Sequence, residues 1–360
     1  MHIYLIKRLL LIIPTLFLIM LVNFLIIQGA PGGPVERIIN ELNHPNQKIG
    51  ESAIANHNVQ LSAPSSINIK YRGSSGIDPE IISKIEKIYG FDKPLWERFW
   101  LMLKKYLTFD FGDSFYQDKS VSSLVIERLP VSLSLGLWTT LLVYLISIPL
   151  GIKKAVENGS KFDIYSSWII IIGYAVPSFL LAILLMVLFG GGNFFSVFPL
   201  RGLVSDNFAD LSFGQKIADY FWHLALPIIS MVAGGFASLT FLCKNSFLEE
   251  INKQYVVAAR AKGLNQRQIL YSHVFRNALL IVIAGFPAAL ISVIFTSSML
   301  IEIIFSLNGL GLLGFEAAIS RDYPVMFGTL YFFTLLWLIS SIIGDLTYRL
   351  VDPRIDFEKR

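Results

Sequence analysis

Five basic side chains, Arg260, Lys262, Arg267, His273 and Arg276, and no carboxylate fall within the stretch YVVAARAKGLNQRQILYSHVFRN at 255–277. A cationic set without a carboxylate beside it matches no catalytic signature. Its chemistry is recognition, of carboxylates on a protein or of lipid headgroups. Ala258, Ala259 and Ala261 favour a helix. Gly263 can take the left-handed position that ends one, and Asn265 with Gln268 has the form of a capping box for the next. Two short helices broken at Gly263-Leu264 are therefore expected. Small side chains just before a tight turn let another protein approach the backbone closely.

The other candidate residues are few. Glu302 stands near the end of an apolar run, where water or a cationic partner is expected to reach it. Asp345 ends another run; an acidic residue beside a span is a functional candidate, and a pair with Arg349 four residues on is the structural alternative. His44 and His57 lie in a polar stretch without carboxylate or thiol neighbours and read as surface residues, not as metal ligands. The one cysteine, Cys243, leaves neither a disulfide framework nor a multi-cysteine metal site; it reads as a small buried or interfacial residue. There is no phosphate loop ending in GK[ST], no HExxH and no GxSxG. The chain is read as a non-enzyme without cofactor or metal, and any ATP hydrolysis that energises it belongs to a separate subunit.

Apolar runs must position these residues. The chain has 360 residues, 54% hydrophobic and 16% charged, with a mean hydropathy of +0.59, too apolar for an ordinary soluble domain. Six uncharged runs reach the roughly 20 residues that span a bilayer: 9–28, 131–151, 164–188, 222–243, 279–301 and 325–344. The first follows Lys7-Arg8 but is longer than a signal core and lacks a good cleavage site, so it reads as an uncleaved span. Lys and Arg number 2, 3, 6 and 4 in the amino terminus, the 152–163 loop, the 244–278 loop and the tail after Gly344, against 2 and 1 at 189–221 and 302–324. This bias puts both termini and the basic stretch in the cytoplasm. The expected fold is an all-α membrane protein with six transmembrane helices. Its organisation is an amino-terminal tail and first helix (1–28), an extracytoplasmic segment (29–130) with a polar insert (43–76), and a five-helix domain (131–360) that carries the cytoplasmic 244–278 loop. The bilayer is the first partner.

Within this frame, Pro14 and Pro177 predict kinked spans, the fifth span carries Gly285 and Pro287, and Gly234-Gly235 permit close helix packing. Asn23 reads as an interhelical hydrogen bond or a pore contact. Two amphipathic helices are expected outside the membrane. One follows an Asp78 cap with Ile81, Ile82, Ile85 and Ile88 on one face. The other follows Pro94 with Leu95, Phe99, Met102, Leu103 and Tyr106. Their apolar faces suit the outer ends of the membrane helices or a soluble partner. A DNA-binding helix-turn-helix at 255–277 is disfavoured, because both ends are tethered to the bilayer. An ion-driven secondary transporter is disfavoured too, because the span centres lack acidic residues and no internal repeat is evident.

The basic stretch resembles the loop by which membrane subunits of ABC importers contact their ATPase. ARAKGL (259–264) followed by HVFRNA (273–278) resembles the dipeptide/oligopeptide permease family. KRLLLIIPT near the amino terminus, FDKP (91–94), FGDS (111–114), IPLG (148–151), the Gly-Leu-Gly turn (309–311), RDYPV (321–325) and DPRI (352–355) extend the match along nearly the whole chain. The insert with YRGSSGIDPE, GFPAA and FSLNGLGLLGFEA is similar to the branch that carries microcin C and peptides. Two departures stand out: Val257 takes the place of the glutamate typical of this loop, and Ile281 that of a proline found in many relatives.

The resemblance implies a permease in a bacterial inner membrane, paired with a sister permease. A cytoplasmic ATP-binding subunit, one chain or two, and a periplasmic peptide-binding protein complete the importer. It assigns coupling to Ala258, Ala259, Arg260, Lys262, Gly263, Arg267 and His273, with backbone closeness at Ala258, Ala259 and Gly263 carrying it and the charges secondary. No span carries a constellation that fixes the substrate, and a nickel or other solute importer of the same superfamily is the alternative within this class.

Overall fold

A computed structural model describes residues 2–29, 93–190, 194–292 and 298–351. The insert at 43–76 with His44 and His57, the helix expected after Asp78, and DPRI at 352–355 lie outside these residues. Among the described residues there is no strand beyond an isolated bridge between Asp113 and Ser120. Twelve α-helices are described: α1 (His2–Gly29), α2 (Leu95–Leu107), α3 (Val121–Val156), α4 (Lys161–Ala175), α5 (Ser178–Leu185), α6 (Phe213–Ile251), α7 (Gln254–Ala261), α8 (Gln266–Ile269), α9 (Phe275–Ser292), α10 (Ser298–Ile304), α11 (Leu310–Ser320) and α12 (Tyr323–Val351).

Five helical stretches are long and apolar enough to cross a membrane: Ile6–Ile26, Val121–Val156, Phe213–Ile251, Gln266–Leu290 and Tyr323–Thr347. A sixth appears if α4 and the stretch Ser178–Gly190, bent by 86° to each other, form one broken span. The bend is where Pro177 predicts it. Val176, before the proline, is extended at φ −85°, ψ 117°, because proline excludes the helical conformation from its predecessor. The helices also run past the apolar runs: α3 and α6, 36 and 39 residues, carry polar turns at both ends that hydropathy alone does not capture.

The described residues divide into two compact units, one within Met1–Ile12, Val125–Leu313 and Phe333–Arg360, the other within Ile13–Leu124 and Gly314–Phe332. In the first, glycines set how closely the helices approach. A Cβ on Gly151, in IPLG, would stand 2.7 Å from Cys243 Cβ and 2.8 Å from the Thr240 carbonyl oxygen. A side chain there would separate α3 from α6. Cys243 is buried, with its Sγ 3.6 Å from the Ile148 carbonyl. Gly235 likewise faces Val143. Beside this crossing three charges share one site. Lys154 is fully buried, and its Nζ lies 3.0 Å from Asp163 Oδ1. Lys244 Nζ reaches both Asp163 oxygens at 2.9 and 2.8 Å. The carboxylate thereby joins the ends of α3, α4 and α6. Arg8 pairs with Asp345 at 2.8 Å, so this carboxylate meets the amino-terminal basic pair as a structural partner.

Glu302 corrects the sequence reading. It is fully buried, not open to water. Its Oε1 accepts from the Ser132 hydroxyl at 2.9 Å and its Oε2 from the Leu312 N–H at 2.7 Å. Ser132 Oγ accepts in turn from the Leu310 N–H at 2.8 Å. The carboxylate caps the first turn of α11, where N–H groups lack helical partners. The Gly-Leu-Gly turn is what admits it, since a Cβ on Gly309 would stand 2.3 Å from the Glu302 carboxyl.

In the second unit, FGDS and RDYP hold each other. Ser114 donates to Asp322 Oδ2 at 2.5 Å, and the Phe115 N–H donates to Asp322 Oδ1 at 3.3 Å. The Tyr116 hydroxyl donates to the Ser320 carbonyl. Tyr106 of α2 is buried edge-on against Phe111 and Tyr331.

Candidate functional site: the basic loop between α6 and α9

The loop forms both expected helices. The chain leaves α6 at Ile251 and re-enters a helix at Gln254. Gly263 has φ +81°, the left-handed position a glycine takes at no steric cost. Its N–H donates to the Arg260 carbonyl at 2.9 Å, and the Leu264 N–H reaches back to Ala259 at 3.3 Å. The capping box is complete: Asn265 Oδ1 accepts from the Gln268 N–H at 2.8 Å and Gln268 Oε1 from the Asn265 N–H at 3.1 Å. From Gln266 the chain stays helical through α8, a π turn at Leu270–Val274 and α9. The wide turn contains His273, and such bulges recur at functional positions.

One face of the loop belongs to the core of its own unit. Val256, Ala259, Ile269 and Val274 are buried with Ala155, Cys243, Phe247, Ala278, Leu279 and Val282. Ala259 is 7% exposed. The close approach expected there is made by the chain's own core, and Ala259 offers no surface to a partner. Polar groups tie down the root. Glu250 accepts from the Tyr255 hydroxyl at 2.7 Å and pairs with Lys253. Asn277 Nδ2 lies 3.5 Å from the Tyr255 oxygen, and Ser246 donates to the Ala278 carbonyl at 2.6 Å. The hydrogen bond to Glu250 holds Lys253 protonated above the usual lysine range. Burial, with the same carboxylate, pushes the Tyr255 hydroxyl up.

The other face is open. Ala258, Arg260, Lys262, Gly263, Arg267 and His273 are all exposed. So are Val257, at 60%, and Tyr271, at 57%. Val257, Ala258 and Ala261 lie three and four apart and share one helical face. They make an apolar strip with cations beside it. Sequence reasoning did not single out Val257 or Tyr271 as surface contacts. The sequence does not tell Val256 from Val257, two adjacent valines; the core contacts of Val256 decide which one turns inward.

The loop thus combines a buried root with an exposed strip of small residues. It holds no acid–base pair and no nucleophile, and among the described residues no group of His, Cys, Asp or Glu is arranged to hold a metal.

Comparison with known proteins identifies the frame in which this loop works. Residues 147–357 match the family described as binding-protein-dependent transport system inner membrane component. The chain is 59% identical over 362 residues to the inner membrane ABC transporter permease protein YejB of Escherichia coli O157:H7, covering 99% of both chains. It is 56% identical over 359 residues to the peptidoglycan transport system permease protein YejB of Agrobacterium fabrum, again covering 99% of both. The oligopeptide transport system permease protein AppB of Bacillus subtilis is 31% identical over 355 residues, 98% of this chain and 99% of that one. Among solved structures, a chain of the MetNI methionine ABC transporter superposes with a TM-score of 0.50 at 20% identity, over 64% of this chain and 97% of that one. That likeness is one of fold. The chain belongs to the binding-protein-dependent transport family of inner membrane components, as a multi-pass ABC importer permease subunit similar to the YejB permease proteins.

Proposed function

We propose that this permease carries peptides, including peptide-nucleotides of the microcin C kind, and that the 252–278 loop couples it to the ATPase. The observation that carries the coupling is the two-faced loop. Val256, Ala259, Ile269 and Val274 root it in the same core as Phe247 of α6 and Ala155 of α3, while Val257, Ala258, Ala261 and Gly263 face outward. An element fixed on one side and open on the other transmits a push to the helices that hold it. Both termini and this loop face the cytoplasm in this reading, residues 29–130 lie outside, and 131–360 form the transport domain. A sister permease completes the path, and a periplasmic binding protein delivers the substrate. ATP shifts the pore between states only through different contacts of the ATPase with the loop in each state. Ala258 and Gly263 make the close approach, with Arg260, Lys262, Arg267 and His273 around them.

The experiment is Ala258→Trp and Ala261→Trp in the assembled importer. Both side chains are exposed, so insertion and folding are expected to survive. Co-purification of the ATPase and ATP-driven uptake are expected to fall together. Normal uptake with normal ATPase retention in both variants sinks the coupling assignment. For the substrate, a deletion strain is tested for microcin C sensitivity and for uptake of oligopeptides and a peptidoglycan fragment, the last because the Agrobacterium relative carries that name. Resistance to microcin C on deletion, reversed by the gene, is expected; unchanged sensitivity removes that substrate and leaves the coupling reading intact.

A further inference from the structure

Helix α2 is the one amphipathic helix described outside the spans, and its sides do three different things. Phe99 and Tyr106, seven residues apart, turn to the protein. Phe99 packs edge-on against Phe17 and Phe24 of α1 at 5.5 and 5.4 Å between ring centres, and Tyr106 meets Tyr331 of α12 at 5.5 Å. Trp96, Trp100, Leu103 and Leu107 follow at i, i+4, i+7 and i+11, a single stripe. Trp96 and Leu107 are 68% and 67% exposed and Trp100 57%. Glu97, Arg98, Lys104 and Lys105 occupy the remaining side, away from Phe99 and Tyr106. An exposed stripe with two tryptophans is costly in water and needs a cover.

The contacts place α2 beside the ends of two span-forming helices. Phe99 sits between Phe17 and Phe24, five to six residues before the end of the α1 span at Ile26, which is about 8 Å below that end at 1.5 Å per residue. Tyr331 lies eight residues inside α12, which is about 12 Å below its start. Moving about 10 Å along α2 therefore changes its level by only about 4 Å. With both span ends taken as level with the membrane surface, the axis lies close to the membrane plane, at the depth of about 5–10 Å where interfacial helices settle. On α1, Leu18, Val22, Leu25 and Ile26 are exposed as well. The lysines of α2 suit snorkelling to headgroup phosphates, and tryptophan prefers this zone.

We propose that α2 is an in-plane interfacial anchor whose Trp96–Trp100–Leu103–Leu107 stripe is covered by phospholipid at the boundary between acyl chains and headgroups. The leaflet follows from the orientation proposed above and is the extracytoplasmic one; the depth does not depend on that orientation. Between Trp100, Leu103, Lys104 and Leu107 runs a trough of about 380 Å³, open for an acyl chain. The anchor ties the segment that leads into the FGDS turn to the bilayer surface.

The test uses the full-length permease in phosphatidylethanolamine/phosphatidylglycerol vesicles whose acyl chains are brominated either near the headgroup or near the chain end. The difference in tryptophan emission between the native protein and W96F/W100F isolates the two rings. Phenylalanine keeps an apolar ring at both positions, and binding of the ATPase reports that the variant is folded. The expected result is roughly twofold or stronger quenching of the pair by headgroup-proximal bromine, with weaker quenching by the deep label and by aqueous iodide. Strong iodide quenching with none from bromine places the stripe in water, and insensitivity to both places it under protein; either overturns the proposal. Sidedness is read separately, from the accessibility of Lys104 and Lys105 to a membrane-impermeant amine reagent, so a wrong orientation is distinguishable from a wrong depth.

Discussion

Replacing Asp163 with asparagine keeps the size of the side chain and removes the only carboxylate that, among the described residues, pairs with Lys154 and Lys244. Lys154 is the larger concern. It is fully buried, and its ammonium is held by Asp163 Oδ1 at 3.0 Å, the Asp163 carbonyl at 2.8 Å and the Ser166 and Ser167 hydroxyls at 2.8 and 2.7 Å. In Asp163→Asn the three neutral oxygens stay and the ion pair goes, leaving a desolvated cation uncompensated. Breaking a buried pair by removing one partner costs roughly 3–5 kcal/mol. Lys154→Met is expected to cost less, because Asp163 keeps Lys244, whose side chain is 14% exposed, and the Gly159 N–H at 3.1 Å. The double variant leaves only Lys244, which can turn to water, so it should recover about 2 kcal/mol relative to the sum of the singles. The assay is reversible unfolding of the purified permease in mixed detergent micelles, run on all four proteins. A loss below about 1 kcal/mol in Asp163→Asn, or single-variant losses that simply add, refutes the view that this carboxylate exists to neutralise Lys154.

Two further outcomes follow from the same geometry. Gly309→Ala sets a Cβ 2.3 Å from the Glu302 carboxyl, so the turn must open; faster proteolysis between residues 305 and 312 and reduced uptake are expected, and a variant as resistant as the parent contradicts the buried cap. At the root of the loop, the folded state raises the Lys253 pKa above 10.5 through Glu250. Its contribution is therefore full below the unfolded value and lost as pH rises through the folded one. Protection of the 252–278 loop from protease is expected to stay constant between about pH 7 and 9 and to fall only in alkali; loss near neutrality contradicts this clasp.

The basic loop was legible in the sequence down to its break. Alanines before Gly263, the Asn265–Gln268 spacing and the charge bias are local signals, and local hydrogen bonds decide them. Which face of α7 turns outward was not legible. Val256 and Ala259 are inward because Phe247, Ile269 and Val274 meet them there, a fact of chain return rather than of period. The same holds for Glu302. Its place beside an apolar run suggested contact with water, yet Ser132, 170 residues away in sequence, and the first turn of α11 take it as a cap.

The sequence by itself determined that this chain is an all-α, multi-pass membrane protein, that its basic loop is two short helices broken at Gly263 and that it belongs with importer permeases. Uncharged length, lysine and arginine placement and motif spacing act residue by residue along the chain. Only the tertiary structure decided which carboxylates are neutralised, by Lys154 and Lys244 or by Arg8, and which turns fit together, as Ser114 does with Asp322. It alone set the rings of α1 and α12 against Phe99 and Tyr106 of α2. Those outcomes depend on distances between segments far apart in sequence, and no local pattern encodes a distance.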